Sequence, residues 1–480
     1  MSGFGGFDLL VLVVYLGAVT AWGAWLGRGQ RSGNDYFLGN RDMPWGAVSL
    51  SVVATETSTL TFLSIPGVAY LGTMGFLQLT LGYLLGRLVI SAILLPAYYR
   101  GDLSTAYGLL GERFGAAPQR FTSAVFVGMR LLADGVRLFV TAIPLALITG
   151  WSEATAIIVI GALTLAYTAA GGIRAVVWVD VVQMGLYLGG ALVTFVALEL
   201  LVPGGWGSIL GSAAGEGKLQ TLDFSLDLSN PHTFWAGVIG GTFMSMGSHG
   251  TDHLMVQRLL TCRDLRSSQK ALVGSGMAVM VQFALFLMVG IGLWAFYEGR
   301  AFDDADAIFP TFLIQELPAG LTGLLIAGIF AAAMSTLSST INSLASATAY
   351  DFWAPIRGIR EDDGRLLRAG RLFAVGWATL LVITAILYIP LSEDHAAVEV
   401  ALALASVVYG GFLGAFLLAV FSPRARSVGV LVGMMAGIGA VAALAIVAGE
   451  HVGWPWYVPL GTAVTVAVGS GASAFLGEDA

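Results

Sequence analysis

Between Ala331 and Ser346 the chain reads AAAMSTLSSTINSLAS, which sets Ser335, Thr336, Ser338, Ser339, Thr340 and Ser343 inside an apolar run long enough to cross a membrane. On a helix, positions three and four apart share a face. Ser335, Ser338 and Ser339 therefore cluster, as do Thr336, Ser339 and Thr340. A hydroxyl in hydrocarbon has no water to bond and is costly to leave unpaired. Such a strip must face protein, water or an ion, and hydroxyl and carbonyl oxygens suit a hard cation.

Charged groups add to this chemistry. One stretch, Thr55 to Thr61, has six polar residues in seven, Glu56 among them, followed by Pro66 and Gly67. Arg130, Asp134 and Arg137 are spaced i, i+4, i+7, so they can pair with one another, leaving one positive charge for Glu56 or a solute carboxylate to balance. Arg87 is expected near a helix end, where it can snorkel. Asp180 has no basic residue on its own helical face, Arg174 being six positions earlier. A charge at mid-bilayer costs about 2.5–3.5 kcal/mol on insertion scales, so an intramembrane carboxylate is a functional candidate. His249 and His253, with Asp252 between them, have the spacing of a transition-metal pair. Glycine-rich surroundings also offer them backbone partners.

The elements that position these groups follow from composition. The chain has 480 residues, 57% hydrophobic and 11% charged, with mean hydropathy +0.82; soluble domains carry about 25% charged residues. Runs of about 20 apolar residues read as membrane helices. Thirteen are expected, at about 7–27, 45–72, 75–99, 121–149, 153–171, 174–202, 234–256, 271–297, 318–349, 368–389, 397–421, 427–448 and 454–476. With the N-terminus outside, 18 Lys and Arg residues fall in inner loops and only Lys218 and Arg300 in outer ones, which favours N-out, C-in. Asp303, Asp304, Asp306, Glu393 and Asp394 then make the outer loops acidic. The first span lacks the basic flank of a cleaved signal. Cys262 is the single cysteine, so no intrachain disulfide can form.

The fold class expected is all-α and polytopic. Spans two and seven, the latter with Gly240, Gly241, Gly247 and Gly250, read as interrupted helices, and paired interruptions point to a transporter's midplane site. Spans two to six (45–202) and seven to eleven (234–421) form two blocks of five. An odd count per block forces opposite orientation, the geometry of an inverted repeat. Residues 1–44 form a peripheral helix and inner loop, 203–233 an outer loop with room for a short surface helix, and 422–480 two peripheral helices. No nucleotide-binding, nucleophilic or nucleic-acid motif is present, and no obligatory protein partner is evident.

Four motifs then carry a resemblance. They are DYFLGNR at 35–41, YTAAGGIRAVVWVDVVQ at 167–183, TDHLMVQR at 251–258 and FAAAMSTLSSTINS at 330–343. In order over about residues 7–420, they resemble the sodium:solute symporter family, whose members share a LeuT-like fold with discontinuous helices. The second resembles the family signature Y-T-x-x-G-G-x-x-A-V-x-W-x-D-x-x-Q. The resemblance implies a carrier that imports a small polar solute with one or two sodium ions by alternating access. It implies a principal sodium site from the carbonyls of Ala54, Thr57 and Ala332 and the side chains of Ser335 and Thr336. A second site would use Asp180, Ser338 and Ser339, with Ser335 shared. A solute pocket would use Glu56, Ser58, Thr61, Gln78, Asp134, Arg137 and Phe243. Glu56 with Asp134 would suit an amine and Arg137 a carboxylate, hence a zwitterionic or carboxylate-bearing solute, unless Glu56 pairs with Arg137.

The other readings are a carrier coupled to protons at Asp180, or uncoupled, and a membrane sensor, for which no signalling domain is expected after the last span. A channel would need a charge ring or filter repeat, and none is visible. The lipid bilayer of a bacterial plasma membrane is the expected setting.

Overall fold

A computed structural model describes residues 5–101, 103–302, 305–359, 363–391 and 395–475. Asp303, Asp304, Arg360, Glu393 and Asp394 lie outside the described residues. The described chain is helical, apart from one isolated bridge between Met43 and Cys262.

Helix α1 (Gly6–Leu26) packs on the later helices α8 (Glu153–Leu201) and α14 (Leu321–Ala347), and a short α2 (Gly33–Leu38) follows. Ser32 starts α2 by accepting from the Asp35 amide at 3.1 Å. The first interrupted span is α3 (Trp45–Glu56) and α4 (Thr59–Leu71), bent by 64°. Thr57, at φ −81° and ψ 86°, ends the first half, and Ser58 caps the second. Next come α5 (Leu77–Arg100), α6 (Gly108–Phe114) and α7 (Ala116–Thr149).

Helix α8 (Glu153–Leu201) has 49 residues, about 74 Å if straight. A bilayer core is about 30 Å thick, so this is two spans, broken at Gly172 with φ 55° and ψ −156°. The outer loop holds α9 (Gly205–Gly215). A π-helical turn, Ala236–Gly240, leads into α10 (Gly241–Gly250), and Asp252 starts α11 (His253–Leu260) by accepting from the Leu254 amide at 2.9 Å. The second interruption therefore falls at Thr251–Asp252.

Helices α12 (Leu265–Phe296) and α13 (Ile308–Gln315) lead to α14 (Leu321–Ala347), in which every residue from Leu325 to Ala347 is buried. Asp8 fixes the start of α14 by accepting from the Gly320 and Gly323 amides at 2.7 and 2.8 Å. A π-helical turn joins α14 to α15 (Ala354–Arg357). Helix α16 (Gly364–Tyr388) packs on α7 and α8, and α17 (His395–Phe421), α18 (Ser427–Ala448) and α19 (Tyr457–Phe475) pack together. Gly429 and Gly433 of α18 meet the Gly469 backbone of α19, and Gly437 meets the Gly461 carbonyl, the small-residue contact that membrane helices use.

Among the described residues nine helices are long and apolar enough to cross a membrane, and the bent α3–α4 pair makes a tenth. Thirteen separate spans are therefore not counted. One α8 carries two of the expected runs. The break at Thr251–Asp252 shortens α10 and α11.

Gly172 is left-handed, and a Cβ there would lie 2.4 Å from the Tyr36 carbonyl oxygen. Gly172→Ala is expected to cost at least the roughly 1–3 kcal/mol of such backbone strain, read as a lower thermal midpoint of the purified protein.

Candidate functional site

The helix breaks free backbone groups. At the first break the Ser58 amide bonds the Glu56 carbonyl at 3.1 Å, so the Ala54 carbonyl loses its helical partner. The Thr61 amide turns to Ser58 Oγ at 3.4 Å, so the Thr57 carbonyl loses its own. The break lies against α14: Thr59 Oγ1 donates to the Ile329 carbonyl at 3.1 Å, and Thr55 Oγ1 is 3.2 Å from Ser339 Oγ. Thr336 donates to the Ala332 carbonyl at 3.3 Å. Gln282 of α12 steadies Thr57 Oγ1 at 2.7 Å. The freed Ala54 and Thr57 carbonyls thus belong to a break that packs against α14, the helix that carries Ala332, Ser335 and Thr336, and such neutral oxygens are donors that suit a hard cation. Ser58, Thr59, Ala333 and Thr336 also line a void of about 20 Å³ there, large enough for one water.

Asp180 has a cationic partner after all. It is fully buried and accepts from Ser51 Oγ at 2.6 Å and from Ser335 Oγ at 2.7 Å. Arg258 of α11 approaches it at 3.4 Å. The partner comes from 78 positions along the chain, beyond any argument confined to one helix face. Ser339 bonds the same guanidinium. Ser338 turns away to the Ser335 carbonyl at 3.0 Å.

The second polar centre is a cavity of about 240 Å³ beside the first break. Its lining includes Glu56, Ser58, Thr61, Arg137, His249 and Tyr409. Glu56 pairs with Arg87 rather than Arg137. Arg87 does not snorkel; it is fully buried, bonding Ser275 Oγ and His249 Nε2, each at 3.1 Å. The α7 triad forms as spaced, with Arg137 to Asp134 at 2.8 Å and Arg130 to Asp134 at 3.4 Å. Its surplus charge is met by Asp252, which pairs with Arg130 and accepts from Tyr409 at 2.8 Å. Thr340 reaches Asp134 at 2.7 Å instead of bonding backbone alone. Ser343 bonds the Thr340 carbonyl at 3.1 Å.

Two expectations are corrected. Gln78 is not at this cavity: its amide is spent on the outer loop, donating to His232 O at 2.7 Å and accepting from Asp223 N at 2.9 Å. Phe243 packs on the apolar core, and Met244 and Ser248 take its place in the lining. The two histidines do not form a metal pair. His253 Nε2 is 3.0 Å from Ser346 Oγ, whereas His249 sits between Glu56 and Arg87. No metal-binding cluster of His, Cys, Asp and Glu occurs among the described residues. Sequence reasoning missed Arg87, Asp252, Arg258 and Tyr409 as members of these networks. The available signal was that each is a polar group deep in an apolar segment or at a helix break.

Two interrupted helices, freed carbonyls, a hydroxyl strip and a charge-lined cavity define an ion-coupled membrane carrier. The chain belongs to the sodium:solute symporter family, which it matches over residues 36–437, and it is a sodium-coupled symporter. It is similar to the human sodium/iodide cotransporter, 30% identical over 91% of this chain and 69% of that one. It is also similar to the sodium/sialic acid symporter NanT of Aliivibrio fischeri, 29% identical over 97% of this chain and 92% of that one. Its structure resembles a substrate-bound, outward-open sodium-coupled sialic acid symporter at a TM-score of 0.89 and 26% identity, over 98% of both chains. The amino-acid-bound transporter MhsT shares the fold at a TM-score of 0.53 and 16% identity, over 89% of this chain and 98% of that one. The expected fold of discontinuous helices in an inverted repeat holds.

Glu56→Gln would leave buried Arg87 uncompensated, which typically costs about 3–5 kcal/mol. The expected result is a lower thermal midpoint, partly restored in Glu56→Gln/Arg87→Met.

Proposed function

We propose that the solute is small, polar and carboxylate-bearing, either an anion or a zwitterion, and that it binds beside the first helix break. Arg137 carries the reading. It lines the cavity with 29% of its side chain exposed and pairs with Asp134 through one terminal nitrogen, which leaves guanidinium donors for a carboxylate. Planar forks suit carboxylates well. Glu56, Ser58, Thr61 and Asp134 supply or orient the remaining polar contacts. Relatives named for monocarboxylates and for sialic acid support an acidic group, and the iodide relative supports an anion.

The principal sodium ion is assigned to the carbonyls of Ala54, Thr57 and Ala332 with Ser335 and Thr336. There it would hold the break in α3–α4 against α14, joining the block 45–202 to the block 234–421 and preparing the cavity that Thr336 also lines. The N-terminus is placed outside on the distribution of Lys and Arg between the loops, and the setting is a bacterial plasma membrane, which the bacterial relative NanT supports.

Uptake into proteoliposomes tests both assignments. Arg137→Gln should raise the solute KM by ten- to a hundredfold, the worth of a charge-assisted hydrogen bond of about 1.5–3 kcal/mol. An unchanged KM for every acid tried would reject the carboxylate contact. Ser335→Ala and Thr336→Ala should each raise the sodium needed for half-maximal uptake about tenfold, or about 1.4 kcal/mol. Sodium dependence identical to wild type in both would remove the ion from this junction.

A further inference from the structure

The Asp180 pocket is built like an ion site and is already filled. Asp180, Ser51, Ser335 and Ser339 are fully buried, and Thr55 nearly so. Carboxylate and hydroxyl oxygens converging in this way are the donors a hard cation takes. The group they surround is the Arg258 guanidinium, itself fully buried. Its Nε donates to Ser51 Oγ at 3.0 Å, one terminal nitrogen bonds Ser339, and the other donates to the Leu254 carbonyl at 2.6 Å.

The pairing with Asp180 is unlike an ordinary fork. A charge-assisted Arg–carboxylate bond is about 2.7–2.9 Å and often double, whereas here one nitrogen stands 3.4 Å from one oxygen. The carboxylate takes its short bonds from Ser51 and Ser335 instead. Arg258 is thus held by a ring of oxygens, as an ion would be. It also ties α11 to α3 through Ser51, to α14 through Ser339 and to α8 through Asp180. That is the work expected of a bound cation, namely holding the halves of both interrupted helices against the strip.

We propose that Arg258 is a tethered counter-ion that occupies the Asp180 pocket in place of a second sodium ion, so that one sodium ion is coupled per solute. This rests on the sodium-symport reading and on the principal site staying free. Asp180 and Arg258 already cancel, so a further cation in the same buried volume would carry an uncompensated charge, which low-dielectric interiors resist.

The test counts sodium ions, by equilibrium binding of radioactive sodium to purified protein and by reversal potential in proteoliposomes. Wild type should give one. The neutral pair Asp180→Asn/Arg258→Met should also give one, because the pocket was never a sodium site. Arg258→Met alone should give two, with the Hill coefficient for sodium rising above one. Two ions in wild type falling to one in the double variant would overturn the proposal. A folded Arg258→Met that still binds one ion would also overturn it. If Arg258→Met fails to fold, wild type and the double variant decide alone. No sodium in wild type would instead refute the principal site.

Discussion

A carbonyl freed inside hydrocarbon has nothing to bond, so a membrane helix can break only where protein, water or a ligand replaces the lost partner. Both breaks here are set in polar surroundings that meet this demand. At the first, Ser58 caps the new helix, Gln282 holds Thr57, and the strip on α14 stands opposite. At the second, Asp252 caps α11 and is itself held by Arg130 and Tyr409. The buried face of α14 follows from this. Both breaks lean on this helix, through Ser339 to Thr55 and Arg258 and through Ser346 to His253.

The same demand explains the ion pairs. Arg87, Arg130 and Arg137 meet Glu56, Asp134 and Asp252, three positive charges against three negative, as the pair Arg87–Glu56 and the network of Arg130, Asp134, Arg137 and Asp252. Arg258 and Asp180 cancel separately. A pair that can find its partner in the fold removes most of the cost of a lone charge in the bilayer. Arginine on several helices therefore signals closure of a network more than exposure to the lipid surface.

Much of this was legible from local pattern. The hydroxyl strip, the polar run at Thr55–Thr61 and the i, i+4, i+7 spacing of Arg130, Asp134 and Arg137 all act within one helix, where periodicity decides who meets whom. Partners across helices were not legible. Asp180 looked unpaired because Arg258 reaches it from another element, and Asp252 looked like a member of a histidine motif although it faces α7. Gln78 failed for a related reason. Its position on α5 is near the outer loop, and one amide can satisfy two loop backbones only when that loop folds over it. Gly172 was placed between two expected spans, but its left-handed backbone was visible only once Tyr36 lay beside it.

Coupling has a physical basis in the sharing of α14. Thr336 lines the cavity and belongs to the proposed sodium site, and Thr340, one turn on, bonds Asp134, which pairs with Arg137 at the same cavity. A shift of this helix cannot leave either centre undisturbed. Charge then decides how the membrane potential acts. With the cavity network neutral, an anionic solute and one sodium ion cross as a neutral load, on which the potential does no work. A zwitterion with one sodium ion carries one charge, worth about 2.3 kcal/mol per 100 mV and thus about fifty-fold accumulation. Whether Arg258 holds the Asp180 pocket therefore matters beyond stoichiometry. It fixes which class of solute the potential can drive.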